Sequence, residues 1–589
     1  MWRLQEIGLS TDNEVLHSRM DLPSLLQLVE TEGQAWGVFE KWSNFRDAFA
    51  LALQLAGSRH TSPSQEHLPQ LRAVVSALAA ALSPHVDKLP DAELAVLPLW
   101  ALARASVWPP ELVEPLIARL ARDGGELLHT ASAKHLALLW WSLAVPDAPP
   151  VPTAAIAPLA FAASRMLRLG PTQLSPTDVT QTLLSVARLA PQPQLAPLVS
   201  RLGDLLHHLT ACLLDPSQLP HAAPEAFADS LYALSQLRGV HGFMAREELL
   251  RPLVAALGRA AAGAGAAGGP ATAQGLTPQR LANVLHALAD IQCCTDAVPP
   301  YGLDTLTEVL RELRLQVRGA PAVFSPTQVG KVLSALVKLP VATGPAREHA
   351  AAVAIELAAE AEARAFAGFD APTLSITVWA LARLGHTEER WFGAAVAAAA
   401  EPSMLAAASG RDLTSLWLGL ARARQPAAAR RLLAAMLGDG GGSSGEDGAG
   451  GEGGVGGEAA AASAATATAL RAASALSCSN LLWAMAKLDV SDHRLVDLLA
   501  GRLAAALPLQ HDRAHRVLPV MALWALGSIR DGAMRRNRGL VEGLVAEVEA
   551  RRAAAARAGR SDAYDEGECT QLKRAAYIMR RDLGARGES

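Results

Sequence analysis

Aromatic side chains are scarce: 12 Trp, 10 Phe and 4 Tyr make up 4% of 589 residues. A core built on ring stacking is therefore excluded, and Ala and Leu are left to fill the interior. Cysteine is scarcer still. Cys212, Cys293, Cys294, Cys478 and Cys569 show no C-x-x-C spacing, which excludes a thiol-rich zinc module. Their odd number argues against a secreted disulfide framework and fits a reducing compartment. Neither charge sign dominates, since 53 Lys and Arg face 57 Asp and Glu for a net charge of −4. Any affinity for a phosphate backbone must then come from a local basic surface. Apolar runs are broken by Glu, Arg or Pro before they reach bilayer length, so no membrane partner is expected.

Catalytic signatures are missing as well. There is no Walker-type phosphate loop and no metalloprotease His-Glu pair. The one Gly-x-Ser-x-Gly match, Gly441 to Gly445, sits in an acidic Gly/Ser tract without the strand and helix of a nucleophile elbow. His511 and His515 lie four apart with no third ligand nearby, and the run Gly263 to Gly269 is Ala/Gly low complexity. No enzymatic activity, metal, cofactor or small-molecule substrate is expected.

What the chain does have is repetition. A core reading roughly Leu-Trp-Ala-Leu-Ala-Arg-Leu recurs, most clearly as Val378 to Leu384 and Leu482 to Leu488. With the Trp slot as anchor, units fall at Trp100, Trp141, Leu184, Tyr232, His286, Ser334, Trp379, Leu418, Trp483 and Trp524. A common period of about forty residues is the signature of stacked repeats. Apolar residues five before, one before and two after the anchor, such as Leu374, Val378 and Leu381, fall at i, i+4 and i+7, one stripe of an α-helix. Slots one and three after it are small, Val337 excepted, which lets a neighbouring helix approach.

Helix starts are marked nine before the anchor by Asp91, Ser132, Ser175, Thr277, Ser325, Asp370, Ser409 and Ser474, all good N-caps, while Ala223 and His515 occupy that slot in two units. Pro176, Pro278 and Pro326 follow at the first helical position, and Ser175 with Asp178 and Ser325 with Gln328 have capping-box spacing. Second apolar stretches, Tyr301 to Leu315, Pro345 to Arg364 and His493 to Leu507, complete helix–turn–helix pairs. The expected fold is all-α, an α-solenoid wound as a right-handed superhelix of about ten such repeats.

The expected layout is a divergent helical cap over 1–84, a solenoid over 85–437, a disordered Gly/Ala-rich insertion over 438–470, two last repeats over 471–530 and a charged helical tail over 531–589, with a helix from Gln571 to Leu583. The insertion is assigned because its Gly, Ser, Glu and Asp cannot bury enough apolar surface to offset the entropy of ordering.

The unit Thr277-Pro-Gln-Arg-Leu-Ala-Asn-Val-Leu-His-Ala-Leu-Ala-Asp-Ile291, together with Cys478-Ser-Asn-Leu-Leu-Trp-Ala-Met-Ala-Lys-Leu488, resembles the octotricopeptide repeat of green-algal organelles, a family related to the FAST-kinase-like proteins of mitochondria. The similarity covers about residues 85 to 530. Proline-rich loop elements of the family survive in fragments such as Trp108-Pro-Pro110 and Pro299-Pro300, and no RAP-type segment is evident. The resemblance implies binding of single-stranded organellar RNA, alone or with other proteins in a ribonucleoprotein complex. It also implies a role in transcript stability, processing or translation, in the chloroplast or alternatively the mitochondrion. The opening stretch carries Glu6, Asp12 and Glu14 against Arg3 and Arg19, unlike an Arg- and Ser-rich transit peptide.

One slot is a candidate RNA-binding track. Four after the anchor stand Arg104, Arg188, Lys338, Arg383, Arg422 and Lys487, which stacking would align into a ladder of cations. The same residues sit near helix C-termini, where a cation favours the macrodipole by about 0.3–1 kcal/mol without any ligand, so both roles stay open. The Trp anchors are expected in the core rather than stacked on bases. Asn283 and Asn480, three before the anchor, fit either a base-reading slot or a solvated face. The rival to RNA binding is a scaffold solenoid that binds proteins.

Overall fold

A computed structural model describes residues 21–57, 66–219, 221–237, 252–257, 276–292, 303–339, 344–438, 455–507, 517–529, 532–557, 570–573 and 576–577. Every regular element among them is a helix, and no strand occurs among the described residues. The fold is all-α.

The ten anchor positions lie on the helices α1 (Ala92–Ala105), α2 (Ala133–Ala144), α3 (Pro176–Leu189), α4 (Pro224–Leu237), α5 (Pro278–Gln292), α6 (Pro326–Lys338), α7 (Ala371–Arg383), α8 (Gly410–Ala423), α9 (Ala475–Leu488) and α10 (Leu518–Ser528), called first helices below. All eight expected caps are made. Asp91 accepts from Leu94 N–H at 2.9 Å, Asp370 from Thr373 N–H at 2.8 Å and Ser474 from Ser477 N–H at 3.1 Å. Ser132 and Thr277 each accept at 3.4 Å. Ser175, Ser325 and Ser409 form full capping boxes, with Asp178, Gln328 and Asp412 reaching back to the cap N–H at 3.3, 2.9 and 2.9 Å. These bonds satisfy orphan donors that would otherwise weaken each helix start. Helix α10 begins without a side-chain cap, and His515 lies outside the described residues.

The chain divides into two compact units, Met1–Val309 and Leu310–Ser589. In the first, α1 packs on α2, α2 on α3, α3 on α4 and α4 on α5. The helices Pro110–Ala121, Ile156–Met166 and Val199–Leu213 form a second row, each against the next. The leading helices Leu22–Val38, Trp42–Leu55 and Leu68–Leu82 pack together and onto α1. In the second unit, α6 to α10 pack in sequence, beside a row made by Gly344–Ala363, Glu389–Ala399, Pro426–Leu437, Val455–Arg471, His493–Ala504 and Arg538–Arg557.

The stripe five before, one before and two after the anchor is enclosed throughout, as with Leu374, Val378 and Leu381. Slots one and three after it are enclosed too, apart from half-buried Val337 and Ala486.

One expectation changes. The span 438–470 is not wholly a loop, because a helix runs Val455–Arg471. Nearly half of its 17 residues are Ala, the best helix former, and Ala462, Thr466 and Leu470, spaced by four, are buried. Packing on Pro402–Ala407 and Pro426–Leu437 orders the half that has an apolar face. Residues 439–454, the Gly-x-Ser-x-Gly match included, lie outside the described residues, as does most of the expected Gln571 to Leu583 helix.

Candidate nucleic-acid interface

At 100° per residue, the anchor shares a helix face with the slots three before and four after it. The packing leaves this face open. Trp100, Trp141, Leu184, Tyr232, His286, Trp379, Leu418, Trp483 and Trp524 are all half-buried, and only Ser334 is enclosed. The expectation that the Trp anchors form the core is therefore corrected. The enclosed rings stand one position earlier, at Trp140 and Trp417, both fully buried. The physical reason is angular: the slot before the anchor faces packed neighbours, as Val378 meets Gly419 of α8 and Trp417 Nε1 reaches Met436 of the second row, whereas the anchor sits 100° round on the less covered face.

In the second unit these open faces line a groove of about 630 Å³. Helix α7 contributes Trp379, Ala382 and Arg383, α8 contributes Leu418, Ala421 and Arg422, α9 contributes Trp483 and Lys487, and α10 contributes Met521. Gly385, Thr387 and Arg424 come from the turns that follow α7 and α8. The Arg383 guanidinium carbon lies 5.9 Å from the centre of the Trp379 ring, and the rings of Trp483 and Trp524 are 6.5 Å apart with planes tilted 42°. Arg383, Arg422, Arg424 and Lys487 are exposed. None of these four pairs with an acidic side chain among the described residues. Positive charge and π-faces thus meet solvent together, without an ion pair to any carboxylate among the described residues.

Three of the six expected cations, Arg383, Arg422 and Lys487, are brought together there. Lys338, half-buried at the end of α6, belongs to the same unit but does not line the groove. Arg104 and Arg188 belong to the first unit. Arg104 is half-buried with its guanidinium carbon 5.7 Å from the Trp141 ring centre, and burial pushes its pKa down from the usual arginine value. Arg188 is exposed. All six occupy the last turn of their helices, so the macrodipole role is met geometrically at every one.

Elsewhere the slot loses its charge, as Val145, Gln236 and Ser528 show, or reverses it. In α5, Asp290 Oδ2 stands 3.2 Å from His286 Nε2. In α4, Asp229 lies three before the anchor and pairs with Arg280 at 3.2 Å; burial raises its carboxyl pKa while Arg280 opposes the rise. The slot is basic in each of α6 to α9, and the groove gathers the cations of α7 to α9. Asn283 and Asn480 are half-buried on the open face. Arg424 was not marked by the sequence pattern, because its slot mixes signs: Arg238 and Arg530 also stand six after an anchor, but so do Asp147 and Asp489.

Among the described residues no group of His, Cys, Asp or Glu is placed to hold a metal, and no helix is long and apolar enough to cross a membrane. His511 lies outside them, as do Cys293, Cys294 and Cys569, while Cys212 and Cys478 are free and buried. Compared with known proteins, the chain matches no protein-family model and no curated protein.

Proposed function

We propose that this chain is an RNA-binding helical-repeat protein of octotricopeptide type, a right-handed superhelix of about ten helix–turn–helix units without enzymatic activity. In this reading it holds single-stranded transcripts of the chloroplast, or alternatively the mitochondrion, and acts on their stability, processing or translation. The observation that carries it is the groove across α7, α8 and α9, where Arg383, Arg422 and Lys487 stand unneutralised beside half-exposed Trp379 and Trp483. Cations supply the affinity for a phosphate backbone, and exposed rings add stacking of about 1–3 kcal/mol per base. A macrodipole role alone accounts for a cation in the last turn but not for an open indole one turn before it.

The test is fluorescence anisotropy with a labelled single-stranded RNA over a range of salt. Wild-type protein should bind with a salt-dependent affinity. Replacing Arg383, Arg422 and Lys487 together by Ala should weaken binding and lower the slope of log K against log salt by about 2, at about 0.7 for each phosphate no longer neutralised. A wild-type protein that binds no RNA at low salt overturns the reading and leaves the protein scaffold. Crosslinking in cells, followed by sequencing of the attached RNA, identifies the transcript and with it the compartment.

A further inference from the structure

The geometry points to Arg424 as an additional phosphate-binding residue of the groove, one that the ladder of last-turn cations does not include. This inference rests on the reading of the groove as a nucleic-acid site.

Arg424 ends α8 in the left-handed region, at φ 57° and ψ 51°. Its N–H reaches Ala421 O, and the following Gln425 N–H reaches Leu420 O at 3.0 Å. The same position, six after the anchor, is left-handed at Ser106, Gly385 and Asp489, so the turn geometry belongs to the repeat. Gly or Asn is the usual solution for such a position, and a long side chain with a Cβ is strained there. Helical propensity therefore gives no reason for an arginine at this point, and the macrodipole, already served by Arg422 in the last turn, does not require a second cation there.

Its surroundings do. Arg424 lines the groove, is exposed, and has no acidic partner among the described residues. The next residue, Gln425, is buried, and its Nε2 donates to Thr387 O at 3.0 Å and to Ala423 O at 3.1 Å. Thr387 is itself part of the groove wall. The backbone that carries Arg424 is thereby fastened to the neighbouring turn, while its guanidinium remains in solvent. A fixed base and a free planar fork suit bidentate contact with a phosphate, and Arg422, two residues earlier, lines the same groove.

The experiment compares the full chain carrying Arg424→Gly, Arg424→Asn or Arg424→Lys with wild type, using fluorescein-labelled oligouridylate across a salt series, alongside Arg422→Ala/Lys487→Ala. Gly and Asn both accept the left-handed backbone, so neither variant should melt below the wild-type temperature. Each should bind several-fold more weakly, with a salt slope lower by about 0.7, whereas Arg424→Lys keeps the slope. A purely structural role would lower the melting temperature and leave the slope unchanged. If Arg424→Gly and Arg424→Asn bind like wild type while Arg422→Ala/Lys487→Ala weakens binding, this inference falls and the groove reading stands. If wild type binds no oligouridylate at low salt, both fall.

Discussion

A Cβ placed on Gly419 would lie 2.9 Å from Val378 Cγ1 and 3.0 Å from the Val378 carbonyl oxygen. Gly419 is the slot directly after the α8 anchor, and α7 presses its backbone against it. Gly419→Ala should therefore destabilise the protein by about 1–3 kcal/mol through overpacking, read by equilibrium denaturation. Gly501, in the His493–Ala504 helix, meets nothing within 4 Å. There the same substitution should stabilise by about 0.5–1 kcal/mol. Equal effects at the two sites would show that α7 and α8 are not in close contact.

The two kinds of tryptophan should part company under mutation. Trp417 is fully buried and its Nε1 donates to Met436 Sδ at 3.4 Å, so Trp417→Ala should cost about 3–5 kcal/mol of stability. Trp483 is half-exposed in the groove. Its replacement should cost roughly half as much, because less of its surface leaves water on folding, yet should weaken RNA binding. Denaturation and anisotropy on the same two variants check both halves.

Capping gives a prediction of opposite sign at two helices. Ser409→Ala removes a capping box and should lower stability by about 1 kcal/mol. Ala223 accepts the first backbone bond of α4, from Ala226 N–H at 2.9 Å, but has no side-chain oxygen to offer. Ala223→Ser should raise stability by up to about 1 kcal/mol. Urea midpoints of the two variants should move in opposite directions.

Burial pushes the Cys478 thiol up to about 11, so the reactive thiolate is suppressed at neutral pH. Alkylation of Cys478 at pH 8 should be negligible in the native protein and rapid after unfolding, as mass spectrometry of the peptide would show. The folded pKa is raised, so the unfolded chain loses this proton first. The stability this group contributes is intact below the ordinary thiol value of 9 and is lost as pH climbs toward 11. Cys478→Ser should flatten that alkaline decline.

The helix register was legible because several rules coincide in each unit. Ser409 followed by Asp412, then Leu413, Trp417 and Leu420, fixes a start, a stripe and a length with no outside information. The anchor was harder. Its residue type suggests burial, while its spacing from Arg383 and Lys487 places it on the outward face, and a single helix cannot say which side its neighbours will cover. Only the position of the second row decided between Trp379 outside and Val378 inside. The helix Val455–Arg471 is hidden in the mean composition of its tract, whose Ala-rich half differs physically from its Gly-rich half. Arg424 stood out less, because its slot mixes Arg238 and Arg530 with Asp147 and Asp489, and its turn is fastened by a tertiary bond from Gln425 to Thr387 that no local pattern announces.

The separation of an enclosed stripe from an open face also bears on how such a chain diversifies. Three before the anchor in α7 to α10 stand Ile376, Ser415, Asn480 and Met521, all half-buried. A branched alkane, a hydroxyl, an amide and a thioether thus occupy equivalent places on helices that stack alike. Drift at these places leaves Val378, Trp417, Leu482 and Leu523 untouched, so a lineage can alter what its exterior selects while inheriting an unaltered scaffold.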